Sequence, residues 1–450
     1  MSAPGSDRDE ARERPPLLFL CHRVPYPPNK GDKIRAFHVL RELAAHFAVH
    51  LGTFIDDPAD RGAAAALDAF CVSRRCEWLP PRLATLRSGL GLLTGQPLSL
   101  PYYHCPALAR WVRETLARER VERVFLLSSV MGRFLPEGFD AGRLVVDFVD
   151  VDSDKWTQYA PSRPWPLSWL YRREGRRLRD WECALAARAD VSLLVSRQEA
   201  ALFRERCPSA SGSIGHLDNG VDTEYFAPVN GGPSPYPDGA EVLVFTGAMD
   251  YWPNVDAVRY FARDLFPALR ARRPQLQFWI VGGKPTDAVQ ALAGDGVVVT
   301  GRVADVRPYL AHARAAVAPL RIARGVQNKV LEAMAMAKPV LVSARGLEGI
   351  AAQRGAEVLV CETVDDYLAA LPQLAGAAAE ALGRRAREHV CLHADWTANL
   401  RPLLRMLAAP AAAPGSAARA GRRRAGPGGW PPMRWPCWRC CGRRPCPWCA

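Results

Sequence analysis

The chain has 450 residues, 49% of them hydrophobic and 23% charged, with a formal net charge of +13. That length suits two domains of ordinary size, and that balance excludes a disordered or fibrous protein. No apolar run approaches the roughly 18 residues of a membrane-spanning helix, so none is expected.

The opening MSAPGSDRDEARERPP is polar and lacks the apolar core of a secretory signal, which predicts a cytoplasmic protein. The positive charge is uneven, since residues 408–450 hold eight Arg and no acid. A basic surplus suits nucleic acid, anionic lipid or anionic substrates. Without a helix-turn-helix, RNA-binding or zinc-finger signature, no nucleic-acid partner is expected. Of 13 Cys, five fall in the last fourteen residues; the other eight lack paired spacing, which predicts reduced thiols.

Residues 1–14 read as a disordered lead. Leu17–Leu20 form a first buried strand. The loop from Cys21 to Lys33 is rich in Pro and Gly and runs into Lys30, Gly31, Asp32, Lys33 and Arg35. Open α/β sheets bind ligands at the C-terminal end of such a strand. The functional reading brings Gly31 close to a diphosphate or an acceptor, with Arg35 or Lys33 assisting. The plainer reading is a solvated loop capping a helix. His22 is either a site group or a structural histidine.

Alternating segments follow. Val49–Phe54, Cys71–Leu79, Val124–Leu127 and Leu144–Phe148 read as strands, with helices between them. This alternation predicts a parallel sheet covered on both faces. Asp147, Asp150, Asp152 and Asp154 cluster where the last of these strands ends. Asp150 or Asp152 is placed there to orient an acceptor hydroxyl or act as a base. Metal binding and helix capping are the rival readings. Trp165–Ala187 is a basic amphipathic helix: it either packs its apolar stripe in the core or docks on an anionic membrane surface.

Gly231, Gly232, Pro233, Pro235 and Pro237 mark a break in composition. The expected organisation is a first domain over 15–225, a linker over 226–240 and a second domain over 241–375. Helices over 376–407 are expected to brace the first domain. An Arg/Pro/Gly/Cys-rich tail over 408–450 has two Cys-x2-Cys pairs in a composition too biased to read as a zinc site.

The most informative stretch is 300–342. An apolar run, Val317–Leu320, is followed by the loop Arg-Ile-Ala-Arg-Gly and by a helix opening near Gln327. Lys329 and Glu332 share one face near the start of that helix. A Gly-containing loop feeding a helix N-terminus suits a diphosphate. Lys329 adds charge for it, and Glu332 can accept from a ribose diol. The plainer reading is a surface Lys–Glu pair.

These segments resemble, in order, the family 4 retaining glycosyltransferases. The resemblance is carried by HLDNGVDTEYFAP (216–228), VLVFTGAMDYWPNVDA (242–257), QFWIVGG (277–283), VVVTGRVADVRPYL (297–310) and the 300–342 stretch. FLCHRVPYPPNKGDKIRAFHVLREL and VVDFVDVDSDKWTQYA resemble the subgroup of sugar transferases associated with exopolysaccharide and PEP-CTERM/exosortase systems. The resemblance implies the GT-B fold, two Rossmann-like doubly wound α/β domains facing across a cleft. It also implies a metal-independent, retaining transfer of a hexosyl group from a nucleotide-diphosphate sugar to a glycan or lipid-linked acceptor. The nucleotide sugar is a co-substrate and no cofactor is expected. Donor-side residues implied are Gly31, Arg35, Gly247, Arg302, Arg324, Gly325, Lys329 and Glu332, with Asp150, Asp152 and Lys329 as catalytic groups. The chain departs from the family at Arg324, where many members carry the first Glu of Glu-x7-Glu. The basic pair after the first donor-domain strand is also missing, with Met249 and Asn254 near its place. A non-catalytic sugar-nucleotide binding module, or a phosphorylase or epimerase on the same fold, remains the alternative.

Overall fold

A computed structural model describes residues 13–409 apart from 29–30, 137–138, 140–141, 211, 229–231 and 324. The Cys-rich tail therefore lies outside the described residues. Two parallel sheets make up the architecture.

The first sheet has seven strands, in the order β3-β2-β1-β4-β5-β6-β7. They are β1 (Pro16–Cys21), β2 (Ala48–Ile55), β3 (Ser73–Trp78), β4 (Arg123–Leu127), β5 (Arg143–Val149), β6 (Val191–Leu194) and β7 (Ser213–His216). Alternate residues of β1 serve opposite faces, as strand geometry requires. Leu18 and Leu20 join one buried cluster, while Leu17, Phe19 and Cys21 join the other. Continuous burial is the mark of a parallel strand covered on both sides. The short β7 was not legible in the sequence, because Ser-Ile-Gly-His offers no apolar run.

The second sheet has six strands, in the order β10-β9-β8-β11-β12-β13. They are β8 (Glu241–Thr246), β9 (Leu276–Val281), β10 (Val297–Gly301), β11 (Ala315–Ala318), β12 (Val340–Val342) and β13 (Leu359–Val360). In each sheet the chain starts centrally and winds outward in both directions, the doubly wound arrangement that puts binding crevices at the strands' C-terminal ends.

The last two helices part company. The helix Gly376–His393 sends Ala386 and Val390 into the core of the second domain. Only the helix Trp396–Ala408 returns to the first, with Trp396, Leu400, Leu403 and Leu407 buried against Phe19 and Leu127. Within 376–407 it is the second helix that packs on the first domain. The crossing is pinned where the Val221 amide donates to the Ala394 carbonyl at 2.8 Å and the Thr223 hydroxyl to Asp395 at 2.8 Å.

One cysteine expectation is corrected. Cys183, on the helix Leu167–Arg188, is disulfide-bonded to Cys207, just past the helix Arg197–Arg206. They are 24 residues apart in sequence. Tertiary packing brings them together, so no spacing signal announced the pair.

Candidate active site

β8 and β9 end side by side, and glycine lets them do so. Gly282 follows β9, and a Cβ there would stand 1.7 Å from the Gly247 carbonyl oxygen. Gly247 follows β8, and its own Cβ would meet the Asn254 amide nitrogen at 2.8 Å and Lys329 Cε at 3.4 Å. The two loops therefore meet backbone to backbone, with the Asn254 and Lys329 side chains packed against Gly247.

Lys329 stands in the first turn of the helix Asn328–Ala335, where the dipole already favours an anion. Its Nζ donates to Asn254 Oδ1 at 3.1 Å and lies 5.3 Å from the Phe245 ring centroid. Asn254 is itself held, donating from Nδ2 to the Ala248 carbonyl at 2.9 Å. Among the described residues no carboxylate lies within ion-pair distance of Lys329. Burial lowers its pKa to about 8, against the pull of Glu332. Burial likewise pushes Glu332 up to about 7, with Lys329 opposing. Both are half-buried. The arrangement is an ammonium with a neutral amide for company and a carboxyl one turn away, poised for a ligand that brings negative charge.

Arg302 is exposed beside the same loops; a Cβ at Gly283 would lie 3.6 Å from its Cβ. Gly325 takes φ +64°, a left-handed backbone natural to glycine. A Cβ there would sit 3.7 Å from Val195 Cγ1, just past β6 of the first domain, so this loop reaches across to the facing sheet. Arg324 lies outside the described residues.

On the first domain, several expected ligands are used by the fold. Arg35 is buried in the helix Gly31–His46 and donates from Nε to Asp147 Oδ2 at 2.7 Å. Its Nη1 donates to the Leu217 carbonyl at 2.8 Å and to Asn219 Oδ1 at 2.9 Å. Lys33 is equally buried, bonded to Asp60 at 3.0 Å. Their place on the inward face of the helix corrects the expectation that either assists at a diphosphate. Gly31 is exposed and a Cβ there would meet nothing within 4 Å, so no protein neighbour demands glycine. His22 lies 3.5 Å from Asp32, with its ring edge toward Tyr103.

Asp150 and Asp152 are brought together by one cation. Lys155 Nζ donates to Asp150 Oδ2 at 2.6 Å and to Asp152 Oδ1 at 3.1 Å. Burial opposes the Lys155 charge, but the two carboxylates outweigh it and raise its pKa. Asp150 follows a tight γ-turn: its amide donates to the Phe148 carbonyl at 2.9 Å, and Val149 between them takes φ +68°. A β-branched residue there is strained, and strain of this kind gathers at functional loops. Asp147 holds the turn by accepting from the Val149 amide at 3.0 Å. Asp154 turns away to Gln158 and Arg206. Among the described residues no three His, Cys, Asp or Glu side chains are grouped to hold a metal ion.

Sequence reasoning missed Asn254, Lys155 and Glu182. Glu182 reaches from the helix Leu167–Arg188 to the start of the helix Asp152–Tyr159, accepting from the Ser153 hydroxyl at 2.5 Å and its amide at 3.3 Å. Burial pushes its carboxyl up to about 8. None of these shows in a spacing pattern except Lys155, three residues beyond Asp152.

Residues 240–376 match the family described as Glycosyl transferases group 1. Among solved structures, the chain is similar to sucrose-phosphate synthase of Thermosynechococcus elongatus at 19% identity and a TM-score of 0.62, covering 87% of this chain and 98% of that one. It is similar to HepE of Anabaena in complex with UDP at 15% identity and a TM-score of 0.59, covering 87% and 99%. WaaG, a glycosyltransferase involved in lipopolysaccharide biosynthesis, gives 17% identity and a TM-score of 0.58, covering 87% and 100%. No curated protein sequence matches the chain. At these identities the structural likeness is one of fold. The fold is GT-B, and the glycosyltransferase match is to the domain over residues 240–376. The match over 240–376 falls on the second domain, which holds Gly247, Asn254, Lys329 and Glu332.

Proposed function

We propose that this protein transfers a hexosyl group from a nucleotide-diphosphate sugar to a glycan or lipid-linked acceptor in exopolysaccharide or cell-surface polysaccharide synthesis. The reading places it in family 4 and in the PEP-CTERM/exosortase-associated subgroup. It acts in the cytoplasm at the membrane surface, with retention of anomeric configuration and without a metal. The observation that carries it is the Lys329 ammonium, which among the described residues has no carboxylate within ion-pair distance and stands beside Gly247.

The bond between the sugar's anomeric carbon and the diphosphate oxygen breaks, and negative charge develops on that oxygen. Lys329, held by Asn254, stabilises this charge, which is electrostatic catalysis by a preorganised cation. Arg302 stands at the rim to add to it, and Arg324 is assigned the same task. Glu332 takes the ribose hydroxyls. The acceptor hydroxyl bonds to the anomeric carbon and gives up its proton; Asp150 or Asp152 receives or orients it, with Lys155 setting their positions.

A thermal-shift panel of UDP, GDP, ADP and TDP and their sugars tests the donor site. UDP comes first because HepE is a UDP complex of the same fold. A ligand at about 100 times its Kd adds about 2.7 kcal/mol of stability. A selective shift in the wild type that disappears in Lys329→Ala is expected. No shift with any nucleotide in folded protein overturns the reading. Arg324 in place of an acidic residue favours a second reading, a binding module without turnover. Nucleotide binding with no release of free nucleoside diphosphate in the presence of acceptor would support that one instead.

A further inference from the structure

The segment that carries Asp150 and Asp152 is held from two sides. The Val151 amide donates to Glu199 Oε2 at 2.9 Å, and Glu199 belongs to the helix Arg197–Arg206. The Ser153 amide and hydroxyl donate to Glu182 at 3.3 and 2.5 Å, and Glu182 belongs to the helix Leu167–Arg188. The residues before and after Asp152 are thus each fastened by a carboxyl group from a different helix. Val151 stands at the N-cap of the helix Asp152–Tyr159 and supplies no side-chain cap, so the two glutamates answer those amides instead. Val151, Ser153 and Glu182 are all buried. Hydrogen bonds kept from water in this way fix geometry more firmly than exposed ones.

The two helices are themselves tied together. Cys183 follows Glu182 directly, Cys207 ends the helix that carries Glu199, and the two cysteines are disulfide-bonded. Arg206, next to Cys207, donates from Nη2 to Asp154 Oδ1 at 3.4 Å. Gly175 lets the helix Leu167–Arg188 lie close against the helix Asp152–Tyr159: a Cβ there would stand 2.9 Å from the Ser153 carbonyl oxygen and nearer still to Thr157 Oγ1. Within this frame the two aspartates differ. Asp150 takes the shorter bond from Lys155, 2.6 Å against 3.1 Å. Its side chain is 27% exposed, that of Asp152 42%. Asp150 follows the strained turn at Val149, whereas Asp152 lies between the two fastened residues. Asp150 is the more fully neutralised of the pair and Asp152 the more open, at the strand ends where parallel sheets meet their ligands.

We infer that Glu182 and Glu199 are positioning residues for Asp152, and that Asp152 rather than Asp150 is the carboxylate that meets the acceptor hydroxyl. The inference rests on the proposed transfer reaction and names which of its two candidate groups acts. A rigid backbone matters at such a group, because a displacement of about 1 Å costs about a hundredfold in rate.

The test uses the full chain, the nucleotide sugar that gives the largest shift in the thermal panel, and water as the acceptor. The water oxygen bonds to the anomeric carbon, the bond from that carbon to the diphosphate oxygen breaks, and the water proton passes to Asp152. Free sugar and nucleoside diphosphate form in equal amounts. Asp152→Asn should lower kcat by about a hundredfold, with KM and the nucleotide-induced shift kept, and Asp150→Asn by no more than about tenfold. Glu182→Ala and Glu199→Ala should each lower kcat by about tenfold with KM kept. Glu182→Gln and Glu199→Gln should recover most of that loss, since an amide oxygen still accepts from the backbone. Hydrogen exchange over residues 150–156, read by mass spectrometry without ligand, should quicken in the alanine variants and not in the glutamine ones. Glu199 is half-buried, so its variants carry the test if Glu182→Ala fails to fold. A larger loss in Asp150→Asn than in Asp152→Asn, alanine variants with the wild-type kcat, or losses confined to KM overturn the inference and leave the donor site in place. So does a wild type that binds the nucleotide sugar but releases no nucleoside diphosphate. A panel with no nucleotide shift overturns the donor reading, and this inference with it.

Discussion

In the first domain Arg35 is sealed between helix and sheet, with Asp147 taking its Nε donor, Asn219 and a carbonyl its Nη1 donors, and Nη2 left buried without a partner. In the second, Lys329 occupies a comparable place beside the end of a central strand, yet its one hydrogen-bond partner among the described residues is the neutral Asn254. The two cations sit at similar points of two similar sheets and have different partners. Where a carboxylate neutralises a buried cation, the pair serves the fold and breaking it is expensive. Where an amide holds a cation without neutralising it, the charge is left for something that arrives. The contrast separates a neutralised cation from an unneutralised one more sharply than their positions in the chain do.

The largest expected effect tests the structural half. Arg35→Ala leaves Asp147 buried without its cation and should cost about 3–5 kcal/mol, read by chemical denaturation. A variant as stable as the wild type would break the comparison. Gly282→Ala comes next. Its Cβ would collide with the Gly247 carbonyl oxygen, so the loops must separate, at about 1–3 kcal/mol of stability together with weaker nucleotide binding. Asn254→Ala tests the functional half more gently. It frees Lys329 without removing the charge, and nucleotide affinity should fall by about threefold to tenfold, the worth of one hydrogen bond, with little change in melting temperature.

The smallest effect is a pH dependence. Glu332 is raised to about 7, so the native state holds its proton more tightly than the unfolded chain does. Its contribution is present below the ordinary carboxylate range and is lost as pH rises through about 7. Lys329 is lowered to about 8, so its contribution is present above the usual lysine range and is lost as pH falls through about 8. Lys329→Met should flatten the rise in unliganded stability between pH 8 and the ordinary lysine value, and abolish the nucleotide's effect on it. Denaturation curves across that range, with and without nucleotide, check both statements.

The sequence by itself determined the layered architecture and its order. Runs such as Leu17–Leu20 and Val242–Phe245 can only be buried strands, and the helices between them force parallel pairing. It also marked Lys329, Glu332, Gly247 and Gly325, because a glycine loop leading into a helix with a basic first turn is a local pattern. Only the tertiary structure decided which charges are free. Lys33 and Arg35 read as phosphate ligands until the helix face they occupy was seen to point inward at Asp60 and Asp147. Asn254, Glu182 and the Cys183–Cys207 bond join residues far apart in sequence or on neighbouring elements. The splitting of the final helices between two domains was decided the same way, by which apolar face found which sheet. Periodicity and spacing report what a residue's near neighbours in the chain are. Whether a charge is neutralised depends on its neighbours in space, and packing alone supplies those.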